Sequence, residues 1–308
     1  MITSEQRILT THVGSLPRSQ AVTDSVFAHE KGESVANAAD IIRDAVDDVV
    51  ARQVAAGVDI VSDGEMSKIS YATYIKDRIT GFDGDSERRA PRDLEEFPGF
   101  LARQASSGGT PTYRRPRCVG EIKVKDMGPV TEDIDNMNAA IAKHKPVEGF
   151  MNAASPGVIA LFQPNQHYDS HEAYLQALAD AMAFEYKAIV DAGLVLQLDS
   201  PDLGLGRHML FKDKSDEEYR ALALQHVAAL NHALDGIPKD RVRLHVCWGN
   251  YEGPHHHDAP MEMVLPIALR ANVGALLFES SNPRHAHEWQ VFANADLPED
   301  LILIPGVL

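Results

Sequence analysis

The stretch Gly193-Leu-Val-Leu-Gln-Leu-Asp199 decides the fold class of this chain. It is an apolar run of strand length that ends in a carboxylate, and glycine at its start is the residue type that commonly follows a helix. The segment before it repeats apolar residues at helical intervals, at Tyr174, Leu175, Leu178, Met182, Tyr186, Ile189 and Val190. A helix that leads directly into a buried strand is the repeating unit of parallel sheets, so this stretch predicts an α/β fold.

The same alternation recurs along the chain. Further helices are predicted at about 38–56, at about 215–234 and from Met261, with capping boxes starting at Asp169 and Ser215. The predicted core strands lie near residues 8–14, 58–63, 149–154, 194–199, 242–247, 274–279 and 301–304. Repeated βα units in a chain of 308 residues predict a TIM (β/α)8-type barrel that spans 1–308 as a single domain.

Two segments depart from this pattern. Residues 81–116 are rich in glycine, proline and charged residues, and they precede a short apolar run at Cys118–Val124. We expect an inserted excursion at 81–116, followed by a strand. Residues 250–260 are polar and follow a core strand directly, so we expect a loop there.

Composition limits the classes of function. The net charge is −16, from 45 acidic and 29 basic residues, which disfavours nucleic-acid binding because phosphates would be repelled. No apolar stretch approaches the roughly 18 residues that a membrane span needs. Only two cysteines occur. We therefore expect a cytoplasmic protein without a disulfide, which binds neither nucleic acid nor membranes.

The ends of the predicted strands carry the chemistry. In a barrel of this type, catalytic groups lie at the carboxyl ends of the strands. His245 and Cys247 are alternate residues of one strand and share a face, and Glu279 ends the next strand. Imidazole, thiolate and carboxylate are ordinary zinc ligands. The polar groups predicted at strand ends are Ser15, Glu65, Asp199, His245, Cys247 and Glu279.

Several motifs together resemble a known family. They are Thr11-His-Val-Gly-Ser-Leu-Pro-Arg18, Asp63-Gly-Glu65, Gln197-Leu-Asp-Ser-Pro201, His245-Val-Cys247, Phe278-Glu-Ser280 and Ile304-Pro-Gly306. Their order and spacing are similar to the catalytic C-terminal half of cobalamin-independent methionine synthase and its shorter stand-alone relatives. The resemblance runs from residue 8 to the last residue.

The resemblance implies a TIM barrel that transfers a methyl group to a zinc-bound thiol. By this likeness His245, Cys247 and Glu279 are the metal ligands. Glu65 and Asp199 are the catalytic carboxylates, and together with Ser15 they hold the ammonium and carboxylate groups of a homocysteine-like acceptor. The implied cofactor is Zn²⁺, and the implied donor is a methylated folate.

The residue types suit this chemistry independently. A free thiol has a pKa near about 8.5, and coordination to Zn²⁺ removes its proton, which supplies a nucleophile without a general base. Glu65 and Asp199 offer two negative charges to an ammonium group. The backbone turn at Gly14 and Ser15 offers N–H donors to a carboxylate.

Further residues are predicted to contact substrate, each with a structural alternative. Phe162 is placed to stack on a pterin or to pack in the core, and His12 to bind substrate or support the turn. The histidines at 255–257 belong to a solvated loop or to a lid over the site. In the lid interpretation, the residues that contact substrate are Trp248, Asn250 and Tyr251. Lys68 and Tyr71 follow Glu65 on a predicted loop near the substrate.

The resemblance also implies groups that this sequence lacks. They are a further zinc-binding cysteine on the last barrel strand and a histidine, just after the Pro-Gly strand, that serves in proton transfer. The sequence ends at Leu308 with seven predicted core strands, so we expect the last β/α unit to be absent from this chain. Cys118 is most simply a small buried residue. The open edge near 301–308 would invite a partner strand, as in a homo-oligomer, or aggregation. Three explanations of the missing ligand stay open: this chain is a fragment, another chain completes the barrel, or the site binds metal with three ligands.

Three functions stay open at this point. The first is zinc-dependent methyl or alkyl transfer to a small thiol such as homocysteine. The second is a related barrel that performs lyase or decarboxylase chemistry without a thiol substrate. The third is a catalytically inactive barrel that binds a small ligand.

Overall fold

The structure is a computed structural model that describes residues 1–87, 90–106, 113–251 and 253–307. The strands of these residues are β1 (Ile60–Val61), β2 (Phe82–Asp83), β3 (Arg117–Cys118), β4 (Glu148–Ala154), β5 (Val195–Asp199), β6 (Val242–Val246), β7 (Ala275–Glu279) and β8 (Ile302–Gly306). The helices are α1 (Gln20–Glu30), α2 (Ala38–Ala55), α3 (Arg92–Glu95), α4 (Pro98–Ser106), α5 (Gly128–His144), α6 (Pro156–Phe162), α7 (His171–Asp191), α8 (Asp216–Ala233), α9 (Met261–Ala268) and α10 (Trp289–Asn294).

Six strands form one parallel sheet in the order β1-β4-β5-β6-β7-β8, and the sheet curls into a half-barrel. Helices connect its successive strands, so the predicted α/β fold is confirmed. The complete eight-stranded barrel is not seen in the part of the chain that the structure describes. β2 and β3 pair antiparallel as a separate two-stranded sheet that brackets the predicted excursion.

The segment predicted as the first strand, 8–14, is not a regular strand. It makes a single parallel bridge between Thr11 and Ile60. The Asp59 side chain holds it instead, because Asp59 Oδ2 accepts the Thr10 backbone N–H at 2.8 Å. Side-chain contacts from distant parts of the sequence therefore hold the 8–14 segment in place of most of the backbone hydrogen bonds of a regular strand.

The strand predicted at 118–124 is also shorter than expected. Only Arg117–Cys118 is a regular strand, paired with β2, and Val124 adds one isolated bridge to Ile79. Cys118 is buried as predicted and is a free thiol.

The helix boundaries follow local capping chemistry. The Ser215–Glu218 capping box is present and opens α8, as predicted. The box predicted at Asp169 is misplaced by one residue, because Ser170 is the N-cap of α7 and its side chain accepts the Ala173 backbone N–H. Ser170 has the extended backbone that an N-cap residue adopts.

The outer face of the sheet is covered by helices. α7 buries Leu178, Met182 and Tyr186 against the core, and β5 is buried along its whole length. Full burial of each such side chain stabilises the fold by about 1.5–3 kcal/mol. The strands are thereby held rigidly, which fixes the groups at their carboxyl ends.

The inner face of the sheet is polar near its middle. Arg243 of β6 is buried there and donates from Nε to Gln197 Oε1 at 2.9 Å. It also donates to Thr11 Oγ1 and to the His12 carbonyl, each at 3.1 Å. Its guanidinium lies 3.6 Å from the ring centroid of Phe150. Arg243 thus ties the 8–14 segment to the sheet from inside.

No described helix is long and apolar enough to cross a membrane.

Candidate active site

The structure brings Asp199 and His245 together at the ends of neighbouring strands. They are partners in the β5–β6 ladder, and His245 Nδ1 donates to Asp199 Oδ1 at 2.9 Å. His245 also hydrogen-bonds with Cys247. Burial opposes the charged imidazole, but Cys247 and Asp199 outweigh it and raise the pKa of His245 to about 10. Asp199 therefore orients the ring and fixes which nitrogen carries its hydrogen bond.

The side-chain amide of Asn152 connects Glu65 and Asp199, the two carboxylates that are predicted to be catalytic. Asn152, near the end of β4, donates from Nδ2 to Glu65 Oε1 at 2.8 Å and to Asp199 Oδ2 at 2.9 Å. Burial would raise the pKa of Asp199, but hydrogen bonds from His245 and Asn152 lower it overall. Glu65 and Asp199 thus converge on one point, as the sequence predicts.

Glu65 lies on an unusual backbone. Its φ is +58°, and the preceding Gly64 has a φ of +63°. A side chain at Gly14 would place its Cβ only 2.4 Å from Glu65 Oε1. The turn at 14–15 therefore approaches the carboxylate because glycine leaves room for it.

The pKa of the Glu65 carboxyl group is also shifted from its ordinary value. Burial raises its pKa from 4.5 to about 7, helped by the charges of Asp199 and Asp63 and opposed by Lys68 and Arg18. A carboxylic acid that titrates near neutrality is typical of functional sites, although structural clusters also produce such shifts.

Two cations border the carboxylates. Lys68 is buried and donates from Nζ to Asn152 Oδ1 at 3.2 Å. Arg18 donates to the Glu65 carbonyl at 2.6 Å, while its buried Nε has no partner. These groups offset part of the negative charge of the Glu65–Asn152–Asp199 cluster.

The predicted turn residues lie on opposite sides of this segment. Ser15 is exposed and follows Gly14, whose backbone approaches the Glu65 carboxylate. His12 instead points toward α2, where its Nε2 lies 2.8 Å from Gln53 Oε1. Burial lowers the pKa of His12. These contacts support the structural interpretation of His12.

The predicted metal ligands come together in part. His245 and Cys247 are neighbours, and Cys247 is a half-buried free thiol. Among the described residues, two groups hold three ligand atoms within 4.8 Å of one another, and neither contains Glu279. The Glu279 charge acts instead on His255 in the loop after β6. His245 and Cys247 therefore have the donor types of a zinc site, but neither they nor Glu279 belong to the two groups with this close spacing.

The aromatic residues differ in their availability to a ligand. Phe162, at the end of α6, packs edge-on against Tyr71 with centroids 5.9 Å apart, and it borders a small cavity of about 50 Å³. Tyr71 is near enough for the Cys247 charge to act on it, although burial is the main cause of its raised pKa.

Trp248 and Tyr251 are directed away from the Glu65–Asn152–Asp199 cluster. Trp248 is fully buried, stacks on His285 and donates its indole N–H to the Ala259 carbonyl at 2.7 Å. The Tyr251 hydroxyl contacts Asp93 of α3. Trp248 therefore offers no free surface to a substrate, whereas Tyr251 is half-buried.

Three residues of the site were not singled out from the sequence: Asn152, Gln197 and Arg243. Each is a polar residue inside an otherwise apolar strand, and that pattern was the available signal. Gln197 donates to Asp199 Oδ1 at 2.9 Å and accepts from Arg243. Polar residues on an inner strand face are expected where a ligand is bound or a network is satisfied.

The family of the chain follows from comparison with known proteins. The family model described as the catalytic domain of cobalamin-independent synthase matches residues 8–257. The chain belongs to this family. The match ends before Glu279, so it covers less of the chain than the resemblance predicts.

Curated relatives of this synthase family agree. The methionine synthase of Sulfolobus acidocaldarius is 25% identical over 244 residues, 79% of this chain and 62% of that protein. The methionine synthase of Saccharolobus solfataricus is 26% identical over 259 residues, 83% of this chain and 68% of that protein. The chain thus covers about three fifths of the length of the first of these relatives.

A solved structure has the same fold. The putative vitamin-B12 independent methionine synthase from Listeria monocytogenes superimposes with a TM-score of 0.64 at 19% identity, over 98% of this chain and 81% of that one. At this identity the likeness supports the half-barrel architecture alone.

Proposed function

We propose that this chain catalyses zinc-dependent methyl transfer to a small amino-acid thiol of the homocysteine type. The observation that carries this proposal is the Glu65–Asn152–Asp199 cluster directly beside His245 and Cys247, in a member of the synthase family. An ammonium-binding cluster next to a metal-type thiol suits a substrate that has both an ammonium group and a sulfur.

The cluster binds the amino-acid end of the acceptor. The substrate ammonium donates to Glu65 and Asp199, whose carboxylates are already aligned by Asn152. The exposed Ser15 and the backbone of the 14–15 turn receive the substrate carboxylate. A charged ammonium also favours the ionised form of Glu65, so binding lowers its pKa from the value in the free protein.

His245 and Cys247 would hold the zinc ion, with Glu279 as the proposed third ligand. When bound, zinc supplies a thiolate nucleophile at neutral pH. Asp199 keeps the His245 ring in the orientation that leaves its other nitrogen directed toward Cys247.

The methyl donor is proposed to be a methylated folate. Phe162 and Tyr71 form an apolar edge near Cys247 on which a flat ring would stack. The chain is further proposed to act in the cytoplasm, with neither nucleic acid nor membrane as a partner.

The test combines metal analysis with a turnover assay. Protein purified under reducing conditions with zinc is compared with Cys247→Ser, and Cys118→Ser serves as the matched control because that thiol lies in the β2–β3 sheet. We expect Cys247→Ser to lose one equivalent of zinc and the production of methionine from homocysteine and methylated folate. Cobalt substitution should give a thiolate charge-transfer band in the wild type and the control only.

Unchanged zinc content and turnover in Cys247→Ser would overturn the proposal. A folded wild type that binds homocysteine but never forms a thioether would favour the inactive ligand-binding barrel. Turnover of a substrate without a thiol would favour the lyase alternative.

A further inference from the structure

A second cluster of potential ligand atoms lies away from the strand ends. It consists of Asp93 on α3, His208 after β5, and Tyr251 and Asp258 in the loop after β6, and we call it the Asp93 cluster. Asp93, His208 and Asp258 are 0%, 2% and 4% exposed. Its members come from three separate segments, so the fold assembles it.

The separations within the Asp93 cluster are too long for strong hydrogen bonds. His208 Nε2 lies 3.3 Å from Asp93 Oδ2, 3.3 Å from Tyr251 Oη and 3.7 Å from Asp258 Oδ1. Tyr251 Oη lies 3.3 Å from Asp93 Oδ2. A buried imidazole–carboxylate pair elsewhere in the same protein, His226 with Asp202, is separated by 2.8 Å.

These separations match the edges of a ligand tetrahedron. In tetrahedral coordination the ligand–ligand edge is about 1.6 times the metal–ligand distance, so zinc bonds of about 2.0–2.1 Å give edges of about 3.3–3.4 Å. Three of the four separations equal that value within 0.1 Å, and the fourth is slightly longer.

The protein alone leaves His208 unsatisfied. Its Nε2, the atom that faces the two carboxylates, has only these long contacts. Its Nδ1, on the other side of the ring, is also buried without a hydrogen-bond partner, and an ion at Nε2 would not satisfy it. A buried polar side chain without good partners is rare and points to a missing ion or water. Asp93 and Asp258 are also two buried carboxylates whose oxygens lie within 4.8 Å of each other and of His208, a spacing that one cation can bridge.

The outer oxygens of both carboxylates are already held. Asp93 Oδ1 accepts the His257 backbone N–H at 2.8 Å and lies 3.0 Å from His256 Nδ1. Asp258 Oδ2 lies 2.9 Å from His285 Nε2 and 3.1 Å from His255 Nδ1. His255 Nδ1 is also 3.2 Å from Asp258 Oδ1. Such outer hydrogen bonds are what orients metal-binding carboxylates.

We propose that the Asp93 cluster binds a divalent transition-metal ion, Zn²⁺ by its geometry. The ligands are His208 Nε2, Asp93 Oδ2 and Asp258 Oδ1, with Tyr251 Oη at the fourth corner. A cavity of about 290 Å³ lined by His208, Asp258 and neighbouring residues provides the entry path. The ion would fasten the loop that follows Cys247 onto α3 and would have a structural role.

A neighbouring group is not the site. Glu96, His256 and His257 also lie within metal-ligand spacing, but this group is largely exposed. Both histidines make ordinary hydrogen bonds of 2.7 Å to separate oxygens of Glu96. That group is satisfied without an ion, and Glu96, the C-cap residue of α3, supplies a matched control near Asp93.

The test is made in a Cys247→Ser background, which removes the proposed thiolate site. The ligand variants carry Asp93→Asn together with His208→Gln, which removes two ligands at nearly constant side-chain volume. The control carries Glu96→Gln instead. Each protein is loaded with zinc under reducing conditions, dialysed and analysed for metal. We expect about one zinc per chain in the background and in the control, and none in the ligand variants.

Metal X-ray absorption and thermal unfolding give independent readouts. The background protein should show a zinc shell of nitrogen and oxygen only, and zinc should raise its Tm. The ligand variants should have native near-UV circular dichroism without a zinc-dependent Tm. A background protein without zinc, or folded ligand variants that keep it, would overturn the inference. Both measurements are made without the Cys247 thiol, so they do not depend on whether Cys247 binds zinc in the wild type.

Discussion

At the scale of single residues, the close approach of Gly14 to the Glu65 carboxylate determines the shape of the proposed acceptor site. A methyl group at position 14 would lie 2.4 Å from Glu65 Oε1, so Gly14→Ala should displace the carboxylate from Asn152. We expect about a tenfold or greater rise in KM for the thiol, because misplacing one charge-assisted hydrogen bond costs about 1.5–3 kcal/mol.

The matched control for this prediction is Gly99→Ala, because nothing lies within 4 Å of a Cβ at that position. Steady-state kinetics on both variants check the prediction. Equal KM values in Gly14→Ala and the wild type would show that the turn does not position Glu65.

The raised pKa of Glu65 gives stability a defined pH dependence. The folded protein holds the proton up to a pKa of about 7, whereas the unfolded chain releases it near 4.5. The folded state therefore binds more protons between these values, and the free energy of unfolding should fall as the pH rises through that window. The loss attributable to Glu65 is about 3 kcal/mol, complete above pH 7.

Urea unfolding between pH 4 and pH 8 tests this sign. Glu65→Gln cannot titrate, so its stability relative to the wild type should increase with pH. Glu262→Gln, an exposed position on α9, should follow the wild-type profile. A constant difference between Glu65→Gln and the wild type would contradict the raised pKa.

At the same scale, the sequence predicted some site residues and missed others for physical reasons. Glu65, Asp199 and His245 follow strand ends, and parallel register alone brings them to one edge of the sheet. The directions of Trp248 and Tyr251 depend on how their loop packs against α3, which lies in the inserted excursion. Contacts between segments over 150 residues apart, such as Tyr251 with Asp93, have no local signal in the sequence.

At the scale of elements, Arg243 is the link between the N-terminal segment and the sheet. Arg243→Met should remove its bonds to Gln197, Thr11 and the His12 carbonyl while keeping most of the buried volume. We expect a loss of about 3 kcal/mol and faster amide exchange in the 8–14 segment than in α7.

Hydrogen exchange followed by mass spectrometry measures this difference. Arg220→Met, at an exposed position of α8, should leave the exchange of both segments unchanged. Uniformly faster exchange throughout Arg243→Met would contradict a specific role in holding the N-terminal segment.

Helices were more predictable than the outermost strands. The limits of α7 and α8 follow from apolar periodicity and side-chain N-caps, which act within a few residues. Those of α2 follow from apolar periodicity alone, since its N-cap Asn37 makes no side-chain cap hydrogen bond. The 8–14 segment has a strand-like pattern, but its single bridge depends on Asp59 and Arg243, which are distant in sequence. Its irregular path could not be derived from local propensity.

At the scale of the whole molecule, Arg78 joins helices on the outer face through a buried ion network. It contacts Asp133 of α5 and lies 2.7 Å from Glu185 of α7, which also accepts from the Tyr74 hydroxyl. Arg78→Met leaves two buried carboxylates without their cation. We expect a loss of about 3–5 kcal/mol of stability.

Urea unfolding at neutral pH checks this expectation. The control is Arg52→Met, because Arg52 pairs with Asp48 on the exposed face of α2 and such pairs contribute about 0–1 kcal/mol. Losses of equal size in the two variants would show that the network does not stabilise the fold.

The left-handed backbone of Glu65 has a consequence for engineering. A non-glycine residue at φ +58° costs roughly 1–2 kcal/mol, and burial of its carboxylate adds to that cost. Directed evolution for thermostability would therefore favour Glu65→Gly, which relieves both penalties and removes the acceptor site. A screen of this protein for heat resistance would need a simultaneous selection for activity, since a substitution that relieves this strain also removes a residue of the proposed acceptor site.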